Sequence, residues 1–92
     1  MKVRFLTSFD RSLRALEPQT QKKVKEAVDS LLLYFETTQH PKGLGLKKLR
    51  SPYWEIRVGL KNRVVFSFEK DLLTFILAGD HDSIKRFLHH LK

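Results

Sequence analysis

The chain has 92 residues and no cysteine, so we expect one domain with a modest core and exclude a disulfide framework or a thiolate metal site. Its 18 lysines and arginines against 10 acidic residues give a formal charge of +8, which favours a polyanion or an acidic protein as partner over a merely soluble basic surface. No apolar run of roughly 20 residues and no signal-peptide-like start is present, which predicts a cytoplasmic protein without a membrane span.

The N-terminal third predicts a strand followed by two helices. Residues 2–7 alternate like a β-strand, and Thr7 or Ser8 is a candidate cap for a short first helix. Pro18 suits the first turn of the second helix, where its missing N–H costs nothing. The core-facing stripe of that helix has helical spacing and consists of Val24, Ala27, Val28, Leu31, Leu32 and Phe35.

A basic loop is predicted over residues 40–48, ahead of the remaining strands. Its glycines do not have the spacing of a phosphate-binding P-loop. Cations on irregular backbone beside a sheet can nevertheless bind phosphates without reading a base sequence. The candidate nucleic-acid contacts are Lys42, Lys47, Lys48 and Arg50.

Three alternating runs in the second half of the chain predict consecutive antiparallel strands. A three-residue loop at Gly59–Lys61 sets Arg57 opposite Arg63 and keeps one face wholly apolar. A two-residue turn at residues 61–62 would place Arg63 in the core, so we predict the longer loop. The apolar face of the first two strands then comprises Trp54, Ile56, Val58, Val64, Phe66 and Phe68.

The third strand is expected after a two-residue turn at residues 70–71, with Phe68 opposite Leu73. Strict alternation puts Leu73, Phe75 and Leu77 on the apolar face and Leu72, Thr74, Ile76 and Ala78 on the other. That second set is too apolar for open water, so a partner segment or the C-terminal helix should cover it. The last helix is expected to start at a cap, Asp80 or Asp82, and to have a stripe of Ile84, Phe87, Leu88 and Leu91.

The polar face of these strands is the candidate site. It contains Glu55, Arg57 and Arg63, and His81 follows the end of the third strand near Arg63. Two like charges placed directly opposite each other destabilise a sheet, which favours anion binding over a plain surface pair. The alternative is an ion pair of these arginines with Glu55 or Asp80.

The order β-α-α-β-β-β-α predicts an α+β fold, an antiparallel-rich four-stranded sheet packed on a helical hairpin. The runs KKLRSPYWEIRVGLKNRVVFSF (residues 47–68) and LAGDHDSIKRF (residues 77–87) resemble the RelE/ParE toxin superfamily of type II toxin–antitoxin pairs. The Gly-Asp-His-Asp sequence is similar to the ending of YafQ-type toxins. The resemblance implies a single toxin domain over residues 1–92.

The resemblance also implies a ribosome-associated mRNA endoribonuclease that a cognate acidic antitoxin holds inactive in a hetero-oligomer. The implied reaction needs no metal or other cofactor: a base deprotonates a 2′-OH, the oxygen attacks the adjacent phosphorus, and an acid protonates the leaving 5′-oxygen. Arg57 and Arg63 would bind the phosphate. His81 would act as general acid or base, Glu55 is a second possible base, and Tyr53 would stack a nucleotide base.

Two positions depart from the pattern of the superfamily. Phe87 stands where RelE-like toxins often have a tyrosine, and Glu55 stands where some members have a lysine. Since Phe87 cannot exchange protons and nearby arginines favour the ionised form of Glu55, the acid–base chemistry depends chiefly on His81. The alternatives are a ParE-type inhibitor of DNA gyrase and a catalytically weak relative that only binds its antitoxin or RNA.

Overall fold

Helices cover both faces of a mixed five-stranded sheet in the computed structural model, which describes residues 1–37 and 45–91. The elements are β1 (Lys2–Phe5), α1 (Thr7–Arg14), α2 (Pro18–Glu36), β2 (Lys47–Lys48), β3 (Tyr53–Val58), β4 (Asn62–Glu69), β5 (Leu72–Asp80) and α3 (His81–His89). The strand order is β1-β5-β4-β3-β2. β1 is parallel to β5, and the other neighbours are antiparallel. The predicted α+β class is therefore confirmed.

The sheet has one strand more than predicted, because β2 forms inside the stretch expected to be a loop. Lys47 pairs with Glu55 and Lys48 with Trp54 across an antiparallel ladder. Two lysines are too short a run to show alternation, so this strand owes its existence to pairing with β3 and not to a local preference. The prediction of a loop was wrong at these two positions.

Helices α1 and α2 pack on one face of the sheet. The predicted α2 stripe is confirmed, since Val24, Val28 and Leu31 are buried and the other three members contact the same core. Phe66 and Phe75 lie opposite them and are 1% and 0% exposed. Each contributes roughly 2 kcal/mol by the apolar area that it removes from water.

The cap expected for α1 is absent. Leu6 occupies the N-cap position and makes no side-chain cap bond, while Thr7 is already helical. The Ser8 hydroxyl donates instead to the Ile76 carbonyl at 2.6 Å. This hydroxyl therefore ties the start of α1 to β5, a tertiary role that local sequence does not reveal.

The predicted register of the central strands is confirmed. Arg57 lies opposite Arg63, and the apolar partners match in the same way along β3 and β4. The three-residue loop contains Gly59 at φ +63°. The next turn has Lys70 and Asp71 at φ 49° and 63°, the conformation that a two-residue hairpin of this twist requires.

Strand β5 departs from strict alternation at a bulge. Val65 pairs with Leu77 and Phe66 with Phe75, so Ile76 is an extra residue. Beyond it the faces exchange: Ala78 joins the core under α1 and α2, and Leu77 joins the opposite cluster. The prediction was wrong for these two residues, because an inserted residue shifts the parity of every position that follows.

Helix α3 covers the other face of the sheet. The cluster there comprises buried Val65, Ile76 and Ile84, with Leu6, Leu49, Tyr53, Leu77, Phe87 and Leu88 packed around them. The C-terminal helix is thus the cover that the apolar strand face was predicted to need. Among the described helices none is long and apolar enough to cross a membrane.

Asp80 is the cap of α3, and Asp82 is not. Its carboxylate accepts a hydrogen bond from the Ser83 amide at 2.8 Å. That bond, with the Ser83 hydroxyl and then the nearby Arg86 charge, holds the pKa of Asp80 below its ordinary value. The cap fixes where α3 begins, and therefore where His81 lies.

Candidate functional site

An open cleft of about 700 Å³ lies between the polar face of β2, β3 and β4 and helix α3. It brings together Glu55, Arg57, Arg63, His81 and Lys47, all of which the sequence singled out. Its remaining lining residues are Gly45, Leu46, Leu49, Ile84, Lys85 and Leu88. The cleft lining therefore combines basic side chains with aliphatic ones.

The two arginines differ in how they are held. Arg63 is 20% exposed, with its Nε 3.2 Å from Glu55 Oε2 and its Nη1 donating to the Asn62 carbonyl at 2.9 Å. Arg57 is exposed and has neither an ion pair nor a hydrogen bond of its side chain within residues 1–37 and 45–91. One guanidinium is thus oriented by a carboxylate, and the other is available to an anion.

Glu55 is placed to orient Arg63. Its side chain is only 13% exposed, and its carboxylate is committed to the Arg63 guanidinium. The carboxylate therefore lies where it can orient the Arg63 guanidinium. The geometry favours the ion-pair alternative raised for Glu55 over its role as a base.

His81 is the first residue of α3 and is exposed to the cleft. The bulge in β5 contributes to this placement, because it sets Gly79 opposite Arg63, two residues before His81. A Cβ at Gly79 would lie 3.0 Å from the Ser83 Cβ, so the first turn of α3 sits close against the strand end. His81 therefore lines the same cleft as the arginine pair.

Lys85 is a cleft residue that the sequence reasoning missed. It lies four residues after His81, and side chains at that spacing share one face of a helix. The signal was present: a lysine one turn beyond a candidate catalytic histidine, on the predicted last helix. Its side chain adds a further cation to the lining of the cleft.

The predicted phosphate-binding residues separate in the structure. Lys47 lines the cleft, whereas Lys48 points to the other side of β2, with its Nζ 5.8 Å from the centre of the Trp54 ring. Arg50 is exposed and donates to the Leu91 carbonyl at 3.2 Å. Lys42 lies outside the described residues. Of the described members, then, Lys47 alone is in the cleft.

Tyr53 is also outside the cleft lining. Its ring meets Phe87 edge to face, with 5.2 Å between centroids and an interplanar angle of 85°. The alternation of residues along β3 predicted the correct face of the sheet for Tyr53, but α3 covers that part of the face. Both aromatic rings stabilise the contact between α3 and the sheet.

A metal site is not found in the part of the chain described here, where no three His, Asp or Glu side chains are grouped to hold an ion.

The chain has the fold of the RelE/ParE toxins, as the resemblance predicted. It is similar to the RelB–RelE antitoxin–toxin complex of Methanococcus jannaschii, at 20% identity over 91% of this chain and 96% of that chain, with a TM-score of 0.69. The Escherichia coli DinJ–YafQ complex matches at 17% identity over 90% and 96%, with a TM-score of 0.70. A YoeB/ParE toxin from Agrobacterium tumefaciens matches at 18% identity over 88% and 99%, with a TM-score of 0.66. No protein-family model and no curated protein matches the sequence.

Proposed function

We propose that the protein is the toxin of a type II toxin–antitoxin pair and cleaves mRNA on the ribosome, in the cytoplasm and without a metal ion. The observation that carries this proposal is the placement of Arg57 directly opposite Arg63, with His81 in the same open cleft. A toxin fold that presents two guanidinium groups and an imidazole to one ligand suits phosphodiester chemistry.

The arginines are assigned to the scissile phosphate. Arg57, free of partners in the described chain, binds one non-bridging oxygen, and Arg63, oriented by Glu55, binds the other. As the 2′-oxygen attacks phosphorus, negative charge on these oxygens grows. Guanidinium groups already in place stabilise that charge more than they stabilise the ground state.

His81 is assigned to proton transfer. The 2′-oxygen loses its proton and bonds to phosphorus, the bond from phosphorus to the 5′-oxygen breaks, and the leaving oxygen gains a proton. The products are a 2′,3′-cyclic phosphate and a 5′-hydroxyl. An imidazole suits one of the two transfers near neutral pH. The other is exchanged with water, so we expect a slower enzyme than one with two positioned groups.

The expected partner is a cognate antitoxin with acidic segments. Two of the similar structures are complexes of a toxin with its antitoxin. The charge of +8 attracts an acidic chain, and the basic side chains of the cleft offer such a chain a place to block the phosphate site. The active form would then be the free toxin domain of residues 1–92 on a ribosome, and the stored form a hetero-oligomer.

A ParE-type inhibitor of DNA gyrase is the second candidate. The pairing of Glu55 with Arg63 favours it, because this pairing removes one of the two groups proposed for acid–base work. The packing of Phe87 against Tyr53, outside the cleft lining, adds no proton donor in its place. A binding toxin would need the basic surface but not the imidazole.

Expression of the wild type, Arg63→Ala and His81→Ala, followed by primer extension on cellular mRNA, separates these functions. The nuclease proposal predicts cuts at codon-related positions that disappear in both variants. Lys48→Ala, which removes a cation from the other side of β2, serves as the control and should cut like the wild type. Growth arrest with intact mRNA and relaxed plasmid DNA would reject cleavage in favour of gyrase inhibition.

A further inference from the structure

We infer that Gly45 is a positioning residue for Arg57, a role that rests on the proposed function of the arginine pair. Gly45 precedes β2 and lines the cleft. A Cβ built on it would lie 2.6 Å from the Arg57 Cβ, 3.4 Å from the Arg57 backbone nitrogen and 3.5 Å from the Arg57 Nε. A separation of 2.6 Å between two Cβ atoms is far shorter than van der Waals contact, so a side chain at this position would clash with Arg57. The α-carbon of Gly45 is therefore packed directly against Arg57.

The contact extends along the arginine stem. Both the Cβ and the Nε of Arg57 lie near the same point above Gly45, so the side chain runs across the glycine from its root to the start of the guanidinium. Within the described residues Arg57 has no ion pair or side-chain hydrogen bond that would direct it. Packing against Gly45 therefore restricts the direction of this guanidinium.

Backbone conformation alone does not account for this glycine. Gly45 has φ +59°, which disfavours an L side chain whatever the surroundings. Gly59 has nearly the same conformation, φ +63°, but a Cβ there would meet nothing within 4 Å. Both positions thus favour glycine because of their positive φ. Gly45 must in addition lack a Cβ because Arg57 occupies that space.

The consequence for function is preorganisation. A free arginine side chain samples many rotamers, and binding a phosphate must stop that motion. With its stem held by Gly45, Arg57 loses less freedom on binding. Because Arg63 is held separately by Glu55, both guanidinium groups are fixed before RNA arrives.

The direct test is the mobility of the Arg57 side chain, measured by NMR relaxation of its Nε–H in Gly45→Ala and Gly59→Ala. The Arg57→Lys variant assigns the signal. We expect an ordered Nε–H in the wild type and in Gly59→Ala, and a mobile or displaced one in Gly45→Ala. Asparagine tolerates positive φ, so Gly45→Asn and Gly59→Asn repeat the comparison with less backbone strain if an alanine variant does not fold.

A second measurement links this motion to the ligand. Affinity for a short 2′-O-methyl RNA should fall roughly two- to tenfold in Gly45→Ala and less than twofold in Gly59→Ala. In an Arg57→Ala background, Gly45→Ala should cause no further loss. Equal effects at the two glycines, or a loss that persists without the arginine, would overturn the inference. If the NMR difference is seen but wild-type protein neither binds nor cuts RNA, the positioning stands and the proposed function fails.

Discussion

Glu55 holds Arg63 by a contact of 3.2 Å between carboxylate Oε2 and guanidinium Nε, on the polar face of adjacent strands. The pair is largely shielded from solvent, since the side chains are 13% and 20% exposed. Arg57, opposite Arg63, has no carboxylate of this kind in residues 1–37 and 45–91. The cleft therefore presents one compensated guanidinium and one uncompensated guanidinium to a ligand.

Glu55→Gln tests whether this carboxylate orients Arg63 or acts as a base. If Glu55 orients Arg63, the substitution should lower kcat by less than about tenfold and leave the shape of the pH–rate profile unchanged. RNA should bind as tightly as before or more tightly, because a negative charge leaves the cleft. A general base would instead be worth about 10² to 10⁴ in rate. A loss of that size, with the acid limb of the profile removed, would show that the proton goes to Glu55.

The lysines of β2 form a matched pair, since they are adjacent in sequence and point to opposite sides of the strand. Lys47→Ala should weaken RNA binding and reduce the slope of log affinity against log salt by about 0.7. Lys48→Ala should leave both quantities near the wild-type values. Titrations over a salt series measure this, and equal slopes for the two variants would mean that RNA does not occupy the cleft.

Asp80 should make the free energy of unfolding depend on pH, with a loss of stability in acid. Its pKa is lowered by hydrogen bonds from Ser83, so the folded state holds the proton less tightly than the unfolded state, whose ordinary value is 3.8. The ionised Asp80 cap therefore stabilises the fold at pH values above the pKa of the unfolded state. This stabilisation is lost as the pH falls through the lower pKa of the folded state. At neutral pH, Asp80→Ala should cost about 1 kcal/mol in the free energy of unfolding.

Asp80→Asn is the control for this prediction, because asparagine caps helices well but does not titrate. The free energies of unfolding of the wild type and Asp80→Asn are compared by chemical denaturation at neutral pH and near pH 3. The wild type should lose stability relative to Asp80→Asn on acidification. A constant difference between the two proteins would mean that the cap charge has no part in stability.

Phe87→Tyr tests the departure from RelE-like toxins. The ring of Phe87 packs on Tyr53 and is not among the cleft residues, so an added hydroxyl should not raise the cleavage rate. Phe87→Ala should reduce stability by about 3 kcal/mol or somewhat less, since this ring is only partly buried. Single-turnover cleavage and thermal unfolding measure the two effects. A large gain in rate in Phe87→Tyr would place this position in the catalytic site.

The pairing of Arg57 with Arg63 could be predicted from sequence, because one loop length alone kept charge out of the apolar face. The bulge at Ile76 could not, since an extra residue leaves no periodic signal of its own. The same limit explains β2, where two lysines separate to opposite sides only because they pair with β3. The Gly45 contact with Arg57 is tertiary and has no local signature.

Alternation also placed Tyr53 on the correct face, but it did not show how far α3 extends over that face. The helix stripe of Ile84, Phe87 and Leu88 was predicted, and its docking position was not. That position depends on the Asp80 cap and on the close approach of Ser83 to Gly79. Alternation along the strands therefore predicts which site residues share a face of the sheet. It does not predict which residues the last helix covers or contributes to the cleft, since this depends on how the helix packs.

The central claim is that the cleft of Arg57, Arg63 and His81 promotes attack of an RNA 2′-oxygen on the adjacent phosphorus. The most direct measurement uses the purified protein and ribosomes programmed with an mRNA, with and without a single 2′-deoxynucleotide at the position of the cut. We predict a 2′,3′-cyclic phosphate and a 5′-hydroxyl from the all-RNA message, and no cut at the deoxy position. Cleavage that does not depend on the 2′-OH, or intact message under conditions in which the protein inhibits gyrase, would contradict the account.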